Sequence, residues 1–239
     1  MGGDSHAIGS AEAASALRWW LEAGVDGAVQ DAPRDWLKPA LPTFVQPAGP
    51  ESAPPVADAT LPETLDLFRD WLAETHTLPL AERGAKRVLP HGGEGAPIML
   101  IAETPSSEDA AAERPIGGEA WLLMERMLAA IGISADAAYS ASLSCFHAPG
   151  ARLAEGDLAA CATIARRHIA LARPQRLLLL GDAPARALLG KSLAEARGHV
   201  HKVEGVRTIV TFHPRLLLKP GSNKALAWRD LLLLMEDEA

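Results

Sequence analysis

The chain has 239 residues, 48% apolar and 22% charged, enough hydrocarbon for a sizeable core, which excludes a wholly disordered tail or a basic nucleic-acid coat. With 23 Lys+Arg against 30 Asp+Glu the net charge is −7, so any contact with DNA has to come through a local basic rim. Two cysteines, Cys145 and Cys161, cannot staple a disulfide framework, and no apolar run approaches the roughly 18 residues a membrane span needs.

The charge is unevenly placed: residues 1–95 hold 7 basic and 14 acidic side chains, whereas residues 96–239 hold 16 of each. The first basic residue is Arg18 and no apolar stretch follows Met1, so the expected compartment is the cytoplasm. Residues 1–38 read as a helical segment, with Leu17, Trp20, Leu21 and Val25 on one face, and their acidity makes them a candidate contact for a protein partner. Residues 39–61 are rich in Pro and Ala, hold too few large apolar side chains to pack, and read as a linker. The remaining chain, 62–239, reads as one domain. It opens with a short helix over 62–74, where Leu65, Phe68 and Leu72 have helical spacing and Pro62 suits a first turn.

From residue 96 short apolar runs alternate with longer amphipathic ones. Strands are expected at 97–102, 138–143, 176–180 and 208–212, and helices at 118–131, 155–172, 183–189 and 222–235. Such alternation implies right-handed βαβ units: a three-layer α/β/α fold with a central, mostly parallel four-stranded sheet. Ligands of these sheets bind outside the carboxyl ends of the strands, which directs attention to the residues after Ala102, Leu143, Leu180 and Phe212. There the chain places Glu103-Thr104-Pro105-Ser106, then Cys145-Phe146-His147, then Gly181-Asp182, and finally His213-Pro214-Arg215. Spacing alone makes the first of these an ordinary capped loop. A lone histidine is more often structural than catalytic, but Pro214 restricts His213 to extended backbone and so helps fix its direction. His199 and His201 share a strand face and read as a solvated edge. Trp19, Trp20 and Trp228 read as packing residues.

Taken together these stretches resemble the uracil-DNA glycosylase superfamily, most closely its family-four, iron-sulfur type. The carrying segments are AETPS (102–106) with Glu108-Asp109, ERPIGG (113–118), LLMERMLAAIGI (122–133), Cys145 and Cys161 at the family's spacing, LLGDAPARALLG (179–190), Arg197-Gly198 and TFHPRLLLK (211–219), in the family's order. The departures are equally specific. Two of the family's four cluster cysteines are replaced by Thr75 and Leu78, so one chain cannot form an intact iron-sulfur cluster and no cofactor is expected, Cys145 and Cys161 being remnants. A zinc site from Cys145, His147 and Cys161 lacks an evident fourth ligand. The family's base-stacking Phe is Ile116, and its base-reading Asn falls at Ala141, between Ser140 and Ser142.

The resemblance implies a DNA glycosylase hydrolysing the N-glycosidic bond of uracil or another deaminated base, with DNA as partner and no membrane. It implies His213 as donor to the departing base and Glu103 as the carboxylate facing the sugar, with Glu108 and Asp109 as weaker candidates. Thr104, Pro105, Ser106, Ile116, Ser140, Ala141 and Ser142 would line the base pocket. Arg215, Lys219 and Lys224 would hold phosphates, while Leu216, Leu217 or Leu218 wedges into the gap left by the extruded base. The altered pocket also admits a second reading, a weak or inactive DNA-binding or scaffold descendant. No GxGxxG or GxxxxGK[ST] follows a strand, which disfavours a nucleotide-binding domain.

Overall fold

Unbroken apolar runs make the inner strands, because a parallel strand covered by helices on both faces must bury every side chain. The computed structural model describes residues 61–81, 85–150, 153–221 and 223–236, all within the unit Gly49–Ala239. The helix expected near 10–25 and most of the Pro/Ala-rich stretch lie outside the described residues. The strands are β1 (Lys86–Arg87), β2 (Met99–Ala102), β3 (Tyr139–Ser142), β4 (Phe146–His147), β5 (Arg176–Leu180), β6 (His201–Val203) and β7 (Val206–Thr211). The helices are α1 (Leu65–Glu74), α2 (Ser107–Ala111), α3 (Gly118–Ala130), α4 (Glu155–Ala172), α5 (Asp182–Leu189), α6 (Leu193–Ala196), α7 (Pro214–Leu217) and α8 (Lys224–Met235).

The central sheet has the order β3-β2-β5-β7-β6, with β3, β2, β5 and β7 parallel. It has five strands, not four. The additional edge strand β6 pairs antiparallel with β7, and its three residues, burying only Val203 well, carry too weak an apolar signal to stand out. His201 begins this strand and its Nε2 meets Ala196 O at 2.8 Å; His199 lies before it. A second, two-stranded ribbon pairs β1 with β4.

Side chains alternate across the sheet. Met99, Ile101, Tyr139, Leu177, Leu179 and Val210 pack against Cys161, Ala165 and Ile169 of α4 and Ala185 and Leu188 of α5. Ile98, Leu100, Leu178, Leu180 and Ile209 pack on the other face, against Trp121, Met124 and Leu128 of α3 and Leu231 and Leu234 of α8. Truncating one of these strand leucines, such as Leu178→Ala, would cost ~2–5 kcal/mol through lost transfer energy and a residual cavity. The first helix begins at Leu65 rather than Pro62 because Thr64 caps it, its hydroxyl accepting from Leu67 N–H at 3.4 Å. Arg87 closes the other end by donating to Leu72 O and, at 2.8 Å, to Thr75 O. Trp228 does not pack away; it is 42% exposed on α8.

Candidate active site at the strand carboxyl ends

The order β3-β2-β5 places a topological switch between β2 and β5, and Glu103 follows β2 at that point. Its Oε1 accepts from Asp182 N at 2.9 Å and Ala183 N at 3.3 Å, two of the orphan donors that open α5. The approach is possible because residue 181 is glycine: its φ is +106°, and a Cβ there would stand 2.5 Å from Glu103 Oε1. Oε2 has no hydrogen-bond partner among the described residues.

The next residues form a capping box, Ser106 to Asp109, at the start of α2. Asp109 is 1% exposed and collects four donors. Its Oδ2 accepts from Ser106 N (2.7 Å), Ser106 Oγ (2.8 Å) and Arg215 Nη2 (2.6 Å), and its Oδ1 from Gly117 N (2.6 Å). Gly117 can come this close because it lacks a Cβ, which would otherwise lie 3.0 Å from Asp109 Cα. Asp109 therefore ties the turn after β2, the ERPIGG segment and the loop after β7 together. As an S-x-x-D pattern the cap was legible in the sequence; the ion pair to Arg215, 106 residues away, was not.

His213 is 6% exposed and starts α7. Its Nδ1 accepts from Arg215 N at 3.2 Å, so the ring hydrogen of the neutral form sits on Nε2. Burial first, and the Arg215 guanidinium second, lower its pKa to about 4 against the opposing pull of Asp109, which keeps the ring neutral at pH 7. Behind it, Asp230 of α8 accepts from Thr211 Oγ1 (2.7 Å) and takes a bidentate pair from Arg197 (2.9 and 3.0 Å), whose guanidinium lies 4.2 Å over Phe212. The sequence shows Arg197-Gly198 but not this clamp at the end of β7, because its partners lie 19 and 33 positions from Asp230.

The expected base-pocket residues divide. Pro105 and the half-buried Thr104 and Ser106 stand in the turn after β2, beside the Arg215 loop. Ile116 is fully buried in the core on the α3 face and Ala141 in the core on the α4 face, so the sheet separates the two substitutions. Ser140 is 1% exposed, and its hydroxyl meets His91 O at 3.4 Å. Ser142, half-buried at the end of β3, keeps an unpartnered hydroxyl.

Of the three consecutive leucines, Leu217 is a core residue at 2% exposure and cannot serve as a wedge. Leu216 and Leu218 are 45% and 40% exposed, and Lys219 and Lys224 are exposed beside them. Arg215 differs from those lysines in being held by Asp109 and Ser106.

Cys145 and Cys161 are buried, and desolvation pushes each thiol up to about 12. They border a cavity of about 20 Å³ whose wall includes Leu72, Leu78 and Ile164. Leu61, Phe68, Leu80 and Phe146 complete an apolar cluster there, and the Thr75 hydroxyl is exposed, 2.9 Å from that of Thr77. Two thiols, with Thr75 and Leu78 in the places of the other pair, fall short of the four thiolates that a four-iron cluster needs. The zinc trio does not assemble either: among the described residues no three His, Cys, Asp or Glu gather to hold an ion, and His147 Nδ1 faces Pro105 O at 2.9 Å.

Residues 89–232 match the sequence profile described as Uracil DNA glycosylase superfamily. The chain belongs to that superfamily. It is 25% identical over 170 residues to the Type-4 uracil-DNA glycosylase of Thermotoga maritima, covering 69% of this chain and 88% of that one. It is 23% identical over 160 residues to the Type-4 uracil-DNA glycosylase of Pyrobaculum aerophilum, covering 62% and 82%. The superfamily profile runs from before β2 into α8, the span that holds Glu103, Asp109, His213 and Arg215. Its members' names make this a DNA-glycosylase-like protein, and among the described residues no helix is long and apolar enough to cross a membrane.

Proposed function

We propose that the protein hydrolyses the N-glycosidic bond of uracil or another deaminated base in DNA. The observation that carries this reading is His213: a buried imidazole held neutral, with Nδ1 occupied by a backbone N–H and Nε2–H left as a donor at the strand ends. Cleavage of the C1′–N bond leaves negative charge on the departing base, and a preorganised donor at a base oxygen is worth about 10²–10³ in rate. The neutral ring gives up no proton in this role; it supplies a fixed N–H dipole that needs no reorganisation. Glu103 faces the complementary problem, the developing sugar cation: with Oε1 anchored on α5, its Oε2 is available to orient water or stabilise positive charge.

Leu216 and Leu218 support base extrusion as exposed apolar side chains beside Lys219 and Lys224, which supply phosphate contacts. The reaction needs no metal, and we assign the enzyme no cofactor on the donor chemistry around Cys145 and Cys161.

The test is incubation with oligonucleotides carrying uracil, hypoxanthine or xanthine, single- and double-stranded, followed by alkaline cleavage of abasic sites. Product that is lost in His213→Ala and kept in Cys145→Ser supports the reading. No product from any of these bases, with salt-sensitive DNA binding retained, overturns it in favour of a DNA-binding descendant, the outcome to which the losses at Ile116 and Ala141 point.

A further inference from the structure

Two imidazoles flank the turn at Pro105 and Ser106, and their hydrogen bonds fix them in opposite tautomers. Arg215 N–H points at His213 Nδ1, so that atom is bare and Nε2 carries the hydrogen. His147 Nδ1 lies 2.9 Å from Pro105 O, and a carbonyl oxygen can only accept. His147 Nδ1 therefore carries a hydrogen, and in the neutral ring Nε2 is a bare acceptor.

Both rings belong to one neighbourhood. Pro105 holds His147, while the adjoining Ser106 accepts from Arg215 Nη2 at 2.9 Å, the residue whose backbone faces His213. Neither Nε2 has a protein partner among the described residues. His147 is half-buried on β4 and so remains reachable from solvent.

Resting on the glycosylase reading, we propose that His147 Nε2 accepts the ring N–H of the extruded base while His213 Nε2–H donates to the neighbouring carbonyl oxygen. The pair then selects a lactam edge, a C=O beside an N–H. Uracil, hypoxanthine and xanthine carry that edge. Cytosine N3 and adenine N1 are bare acceptors, and each would set a lone pair against that of His147. Guanine and thymine share the edge and are left to the fit of the rest of the pocket. His147 thus takes over the base reading that an amide side chain at position 141 would perform, from a different strand.

The proposal is tested by binding, so that it does not depend on turnover. Fluorescence anisotropy compares single-stranded oligonucleotides containing one 2′-fluoro-2′-deoxyuridine, which resists glycosidic cleavage, with the same strand carrying its N3-methyl derivative or the cytosine analogue. Wild type is expected to bind the uracil strand about ten-fold or more tighter than either, the cost of leaving one buried donor or acceptor unpaired. His147→Leu is expected to erase that preference, and His147→Asn, which keeps an acceptor, to restore part of it. A preference unchanged in His147→Leu, or absent in wild type, overturns the proposal. If His147→Leu does not fold, the wild-type preference and its response in His147→Asn decide. Uracil excision is followed in parallel on unmodified strands: its absence beside a His147-dependent preference refutes the glycosylase reading and leaves the lactam reader standing.

Discussion

Arg215 Nη2 lies 2.6 Å from Asp109 Oδ2, so the loop after the last parallel strand is fastened to the turn after the first. The two partners are unequal. Asp109 is buried and satisfies four donors, whereas the Arg215 side chain is 39% exposed. Arg215 is therefore a strut that shapes the site, and Lys219 and Lys224 of this rim are exposed with no ion pair among the described residues.

That inequality predicts an order of stability losses. Asp109→Ala strands the Ser106 and Gly117 donors and is expected to cost ~3–5 kcal/mol. Arg215→Ala leaves Asp109 three donors and is expected to cost roughly 1–2 kcal/mol. Urea unfolding with an unchanged m-value reads both; equal losses would contradict the hub role of Asp109.

A histidine lowered to about 4 predicts a displaced acid limb in catalysis. Read in the His147→Asn variant, so that His213 is the one imidazole facing the base, the rate of excision should stay flat through the ordinary imidazole value near 6.5 and fall only as pH approaches 4. An acid limb centred near 6.5 in that variant would mean that His213 is not the donor.

The same physics sets stability. His168 is lowered to about 3 by burial, with Tyr139 Oη 2.7 Å from its Nε2. In the unfolded chain both His168 and His213 take up protons near pH 6.5, while the folded state refuses them until about pH 4 for His213 and about pH 3 for His168. Stability is thus full above the unfolded value and falls as pH drops from about 6.5 towards 3, by up to ~1.4 kcal/mol per pH unit for each ring. His168→Gln should flatten this slope in thermal melts across that range.

Gly181→Ala should be among the more damaging small substitutions. The added methyl meets Glu103 Oε1 at 2.5 Å, and φ +106° is strained for alanine, so a loss of ~1–3 kcal/mol is expected. A melt within error of wild type would show that Glu103 does not sit on α5.

Both thiols should resist modification. With each pushed up to about 12 and buried, native protein at pH 8 should react with iodoacetamide far more slowly than urea-unfolded protein. Protein purified without oxygen should show no iron-sulfur absorbance. Rapid native alkylation, or a visible chromophore bound through these cysteines, would defeat the reading of this corner as hydrocarbon.

The parts of the fold legible in the sequence were those with an intense local signal. Arg176–Leu180 and Glu155–Ala172 agree residue for residue because an unbroken leucine run and a long amphipathic period leave no other choice. β1, β4 and β6 have two or three residues each and are defined by their partners across the sheet, which local periodicity cannot see. In the site, strand-end logic directed attention to the loops that carry Glu103 and His213, and the family resemblance gave those two residues their expected roles. Neither found Glu103's docking on α5, the Asp109–Arg215 pair, or the tautomer of His147, because each depends on contacts between residues 42 or more positions apart.

The clamp of Asp230 on Thr211 and Arg197 bears on the order in which the protein is made. A ribosome delivers β7 and His213 before α8. Until Asp230 emerges, Thr211 lacks its acceptor and Arg197, stacked beside Phe212, its counter-charge. A nascent chain stopped short of that aspartate carries the imidazole on a strand end held by its backbone pairing to β5 but without this side-chain clamp.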